Sequence, residues 1–175
     1  DLMDLYGEYA NLSVLRRRLE GLGVSVTVTG CAPEDAPDFA SADLIYMGAG
    51  TERRQKYALT ALLPHADALK AAVERGAAVL FTGNAMETLG ASVTDASGKV
   101  WQGLGLADFT TVETDKRSPG DVVAVPVLWD APAVGFMNKC STTRGIAAPL
   151  FSRLTLGFGN EAEHGAEGYV SGNVF

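Results

Sequence analysis

Apolar and polar positions along the chain fall into two regimes. Up to residue 90, short apolar runs alternate with stretches of helical spacing. Leu12, Leu15, Leu19 and Leu22 form one stripe at helical intervals, which predicts a helix over residues 12–22 with Asn11 as its cap and Gly21 and Gly23 as its stop. Val24 to Thr29 alternates β-branched with other residues and reads as a strand. Asp43-Leu-Ile-Tyr-Met47 reads as a second, buried strand, and it runs into the glycine-rich turn Gly48-Ala49-Gly50-Thr51. Residues 52–75 are helical, with a break or kink at Pro64. Ala77 to Phe81 is an unbroken apolar run between glycines, as expected of a strand buried on both faces. Thr82-Gly83-Asn84 is then a sharp turn, and a helix opens at Ala85 and stops at Gly90.

Beyond Gly90 the pattern changes to short strand-like pieces separated by turns. Val93 to Trp101 encloses an Asp-Ala-Ser-Gly turn, Val122 to Trp129 is a strand interrupted by Pro126, and Ala133 to Asn138 is another strand. Weak strands are expected at Leu154–Leu156 and Gly168–Phe175. The first half predicts an α/β fold: a three-layer, doubly wound, mostly parallel, flavodoxin-like sheet. The second half is expected to add antiparallel strands to one edge of that sheet within a single domain spanning residues 1–175. Residues 1–9 read as a loop leaving a strand that lies upstream.

Composition narrows the function classes. The 175 residues are 47% hydrophobic and 20% charged, ordinary for a globular domain. No apolar stretch approaches the roughly 20 residues that span a bilayer, so membrane insertion is not expected. A net charge of −7 argues against a nucleic-acid surface. Cys31 and Cys140 are far apart, which fits free thiols in a reducing cytoplasm better than a disulfide framework. His65 and His164 have no second ligand at metal spacing, so neither a metal nor another cofactor is expected.

The candidate chemistry centres on the turn after the apolar strand. A strand that turns abruptly into a helix is where α/β enzymes raise a nucleophile above the sheet. The tip here is Gly83, which has no side chain; Thr82 carries the nearest hydroxyl. Gly48 and Gly50 serve a turn and could also present N–H groups to an anion. Gln55 reads as a structural hydrogen-bonding side chain.

Several segments together resemble cobyric acid synthase-like class I glutamine amidotransferases, and within them the glutaminase subunits of lipid II isoglutaminyl synthase. They are Leu2 to Asn11 with Leu15 to Arg18, Gly48 to Gln55, Gly103 to Leu106 with Asp108, Thr110, Arg117 and Gly120, Gly135 to Asn138, and Gly157 to Asn160 with Glu167-Gly168. The family's elbow reads Cys-Gly-Gly-X-Gln-X-Leu-Gly. Matching it on Leu89-Gly90 sets Gly83 at the cysteine, Asn84 and Ala85 at the two glycines and Glu87 at the glutamine. The resemblance implies a cysteine thiolate that forms a thioester with glutamine and releases ammonia, with N–H groups of the glycine loop holding the oxyanion. It implies substrate-binding positions at Gly48, Gly50, Asn84, Glu87 and Arg117; Arg117 reads equally as a solvated loop charge. It also implies a partner, a synthetase or Mur ligase-like subunit, and glutamine or a related amino acid as ligand. Gly83 removes the thiol, so cysteine-dependent glutaminase chemistry is expected to be lost. The alternatives are a scaffolding module without turnover, or an enzyme that uses Thr82, Glu87 or Cys140 instead. Met137 and Lys139 replace the Glu and His of the family's Phe-Glu-Asn-His stretch. The family's first strand and its C-terminal histidine segment are expected outside residues 1–175.

Overall fold

The computed structural model describes residues 2–175. They divide into two compact units, residues up to Ala85 and Met86–Phe175.

The first unit holds three α-helices and a parallel strand pair. Helix α1 spans Tyr9–Gly21 and strand β1 spans Leu44–Met47; α2 is Glu52–Leu62 and α3 is Ala66–Arg75. Leu63–His65 between α2 and α3 forms a 3-10 turn with Pro64 in its first positions, where the missing N–H removes no helix bond, so the break falls where the sequence predicts. Gly76, at φ +107°, closes α3 in the left-handed conformation that a side chain would resist. Strand β2, Ala78–Phe81, then lies parallel to β1, with Leu44 opposite Ala78 and Met47 opposite Phe81. Leu59, Leu69, Ala72, Val79 and Phe81 are buried and form the apolar core of this unit.

Two expectations fail here. The first helix starts at Tyr9, with Glu8 rather than Asn11 at its cap position. Asn11 lies inside the helix and uses its side-chain amide on Glu8 and Tyr46. Val24 to Thr29 forms no strand. Val24 and Val28 are exposed, and alternation alone makes no strand without a ladder partner.

The second unit is an antiparallel-rich sheet in the order β4-β3-β5-β6, with β7 also on β5. Its strands are β3 Ser92–Thr94, β4 Val100–Gln102, β5 Thr110–Pro126, β6 Ala133–Arg144 and β7 Phe151–Leu156. These strands pair among themselves and make no ladder with β1 or β2, contrary to the expected addition to one sheet edge. Strand β5 is the hub of this sheet. Its 17 residues accept β6 along one side and both β3 and β7 along the other. The run Thr114 to Gly120, whose Arg117 also reads as a solvated loop charge, is carried into the strand by a bulge between Glu113 and Ser118. Residues 168–175 contribute only an isolated Ser171–Val174 bridge. Phe109, Leu89, Leu104, Val93 and Leu154 fill this unit's core, and buried Thr111 and Thr143 join hydroxyls at 2.9 Å. The mixed α/β character expected from the sequence holds.

Candidate functional site

In the first unit, parallel pairing brings two turns side by side. Both strands run the same way, so the glycine loop after Met47 and the bend after Phe81 emerge at the same carboxyl edge. The N–H of Thr82 still donates to Met47 O at 3.0 Å. Gly83 follows at φ +57° and is exposed, and it opens a 3-10 turn, Gly83–Leu89, in place of the expected helix. A backbone in that left-handed region, at the tip of a strand, has the strained form of a nucleophile elbow. A β-carbon added to Gly83 would lie 2.8 Å from the Ala49 methyl carbon, closer than real contacts allow.

The two turns are tied together by Asn84. Its Oδ1 accepts from the N–H of Gly50 at 3.0 Å and its Nδ2 donates to Gly50 O at 2.8 Å. The buried Gln55 donates from Nε2 to the main-chain carbonyl of Asn84, and Lys56 Nζ donates to Gln55 Oε1 at 2.7 Å. Thr51 caps α2 by accepting from Arg54 N at 3.3 Å. Glycine is required at position 48, where a β-carbon would meet the Glu8 β-carbon at 2.6 Å and the Met3 main-chain oxygen at 2.9 Å; at Gly50 a β-carbon would press only on the movable end of the Met3 side chain.

Thr82 points away from the tip, as strand alternation requires. Its hydroxyl donates to Glu8 Oε2 at 3.1 Å and lies 3.2 Å from the Tyr46 hydroxyl, which itself donates to Glu8 Oε2 at 2.6 Å. Burial, and then the neighbouring Glu8 carboxylate, push the Tyr46 phenol above its ordinary range. Glu8 lies in the matched Leu2–Asn11 segment and Tyr46 in an apolar strand, but their partnership with Thr82 is visible only once the strands pair.

The second unit gathers a separate set of ionisable groups on β6. Buried Glu87 accepts from the Ser141 hydroxyl. Lys139 Nζ lies 3.8 Å from Glu167 Oε2, and both side chains are largely buried, at 12% and 19% exposure. That same Glu167 oxygen has no hydrogen-bond partner. Burial drives the Glu167 carboxyl above the usual carboxylate range; Lys139 opposes the shift and Glu87 adds to it. Exposed Arg117 donates to Asn138 O at 3.1 Å and to the half-buried Cys140 sulfur at 3.4 Å. Lys139 and Ser141 alternate with Asn138 and Cys140 along β6, so Glu87 and Arg117 engage opposite faces of that strand.

The CobB/CobQ-like glutamine amidotransferase domain matches residues 1–175. The chain belongs to that family. It is 29% identical over 168 residues to the lipid II isoglutaminyl synthase (glutamine-hydrolyzing) subunit GatD of Staphylococcus aureus strain N315, covering 96% of this chain and 68% of that protein. It is 29% identical over 178 residues to the GatD of Streptococcus pneumoniae strain ATCC BAA-255 / R6, covering all of this chain and 68% of that protein.

In this amidotransferase-family chain, the structure brings Gly48, Gly50, Gly83 and Asn84 together at the first unit's strand ends. Glu87 and Arg117 belong to the second unit. Among the described residues, no three or more His, Cys, Asp or Glu form a group able to hold a metal ion, and no helix is long and apolar enough to cross a membrane. The late glycine motif works as a turn: Asn160 is buried, donates to Gly168 O at 3.0 Å and accepts from Thr143 N at 2.9 Å. The sequence did not single out Glu8, Tyr46, Ala49, Ser141 or Glu167 as functional. Each matters through contacts dozens of residues away, although Glu8, Ala49 and Glu167 lie inside segments that carry the family resemblance.

Proposed function

We propose that this chain is the glutamine amidotransferase-like subunit of an amidating synthetase of the lipid II type, and that cysteine-dependent glutamine hydrolysis has been lost from its elbow. The observation that carries this reading is Gly83: the positive-φ turn is kept at the nucleophile position and no side chain is there. The names of the GatD relatives support lipid II amidation over cobyric acid chemistry. In this reading β1 and β2 belong to a doubly wound, flavodoxin-like core. The partner is a synthetase or Mur ligase-like subunit, and glutamine or glutamate is the amino acid concerned. The chain's own role is then to hold that partner.

Acyl-enzyme formation needs a thiol or hydroxyl that gives its proton to a base, attacks the amide carbon and expels ammonia as the C–N bond breaks. The Thr82 hydroxyl is committed to Glu8, and Glu87 is buried against Ser141. The test is glutamate release from L-glutamine, by the protein alone and with a co-expressed synthetase subunit. The expected result is co-purification of the two subunits with no glutamate above the buffer rate. Glutamate release that disappears in Cys140→Ser or Thr82→Val would overturn the reading and name the replacement nucleophile.

A further inference from the structure

We infer that the elbow is a self-occupied site: the Ala49 methyl stands in the nucleophile's space, and the Asn84 carboxamide fills the hydrogen-bonding positions of Gly50. This rests on the reading of Gly83 as the nucleophile position and goes beyond it. The site has not simply lost one side chain; two others close it.

The geometry at Ala49 is steric. A β-carbon on residue 83 would approach the Ala49 methyl carbon to 2.8 Å and its α-carbon to 3.6 Å. The close contact is therefore with the methyl, which a glycine at 49 would lack. Any side chain at 83 also meets the left-handed backbone, whatever the neighbour. Replacing Gly83 with cysteine alone thus leaves the new group without its place.

The geometry at Asn84 is one of recognition. The main-chain N–H and C=O of Gly50 offer a donor and an acceptor side by side, and a primary carboxamide is the two-point complement of that pair. Asn84 supplies that carboxamide, at 3.0 and 2.8 Å. Gly50 is buried, so its polar groups would otherwise lack partners. The Gln55 bond to the Asn84 main-chain carbonyl, with Lys56 behind it, ties the Asn84 backbone to α2. A substrate amide or its oxyanion reaching for Gly50 N–H must first displace this internal group.

Two measurements test the inference, and neither reads glutaminase activity. The first is a thermal-unfolding cycle of Gly83→Ala, Ala49→Gly and the double variant. The Tm loss caused by Gly83→Ala should shrink to about half or less when residue 49 is glycine, because only the backbone strain then remains. Equal losses in both backgrounds overturn the assignment of Ala49. The second is hydrogen exchange at the Gly50 amide. It should be protected in the unaltered protein, exchange about tenfold faster or more in Asn84→Gly, and regain protection when acetamide is added to that variant. An unprotected Gly50 amide in the unaltered protein overturns the assignment of Asn84, and so does protection that survives Asn84→Gly; the first of these can be read even if the variant fails to fold. Failure of the proposed function appears separately, as glutamate release by the unaltered protein.

Discussion

The two units handle polar groups near their functional residues in different ways. In the first, one carboxylate, Glu8, takes hydrogen bonds from Tyr46, Thr82 and Asn11, and one carboxamide, Asn84, answers both main-chain groups of Gly50. Each group named there has a partner of matching character, and the outcome is a closed structure. In the second, a strand carries Lys139 and Ser141 toward two buried carboxylates, and one oxygen of Glu167 has no hydrogen bond. The first arrangement specifies shape. The second keeps charge in a poorly hydrated place, so its energy depends on pH. Polar groups whose hydrogen bonds are all answered cost little, whereas a buried ion that loses its partner costs much.

Four experiments can break or sharpen this contrast. Both tryptophans, Trp101 and Trp129, lie in the second unit, while the α-helices of the described residues lie in the first. Fluorescence and far-ultraviolet circular dichroism therefore report the units separately. The largest effect is expected from Phe109→Ala, which empties a 1%-exposed core position beside Tyr169. It should cost about 3–5 kcal/mol by the fluorescence midpoint in urea. Coincident shifts of both signals would show that the units unfold as one.

Next is Lys139→Met, which leaves Glu167 near Glu87 without its cation. A loss of about 3 kcal/mol at neutral pH is expected from breaking such a pair, again read by fluorescence. A neutral outcome would mean that water reaches the Glu167 carboxylate.

Glu167→Gln tests the pH claim. A carboxyl whose pKa is raised by folding favours the native state while protonated. Its contribution is complete below the ordinary value of 4.5 and is lost as pH rises through the raised folded value. The unaltered protein should therefore lose stability upward from about pH 4.5, and Glu167→Gln should flatten that segment of the curve. Parallel curves would place the titration elsewhere.

The smallest effect belongs to the first unit's surface. Arg16 and Glu20 pair at 2.8 Å one helical turn apart, with both side chains well exposed. Glu20→Ala should change stability by no more than about 0.5 kcal/mol and less in high salt. A larger loss would mean that α1 is held more by charge than by its leucine stripe.

Much of this was legible in sequence because it follows from backbone rules. Pro64 had to interrupt a helix, Gly76 had to end one, and the apolar run before Thr82-Gly83 had to be a strand with a tight bend after it. What was hidden depends on tertiary partners. The alternation of Val24 to Thr29 signals a strand only if another strand lies beside it. Arg117 reads as a loop charge because nothing local shows that the strand resumes beyond a bulge, where Ser118 to Gly120 pair with β6. Asn84 reads as a turn former, and nothing local shows that it answers Gly50, which lies 34 residues earlier. Arg117 matched a family position by order, but its contacts with Asn138 and Cys140 belong to a strand register that no motif encodes.

The filled elbow also has a pharmacological corollary. A diazoketone or chloroketone mimic of glutamine would alkylate a thiolate held at such a strand tip. Gly83 gives such a reagent nothing to bond, and Ala49 and Asn84 leave it no room. Cells exposed to these compounds should lose amidotransferases that keep the cysteine while this protein stays unlabelled at its elbow.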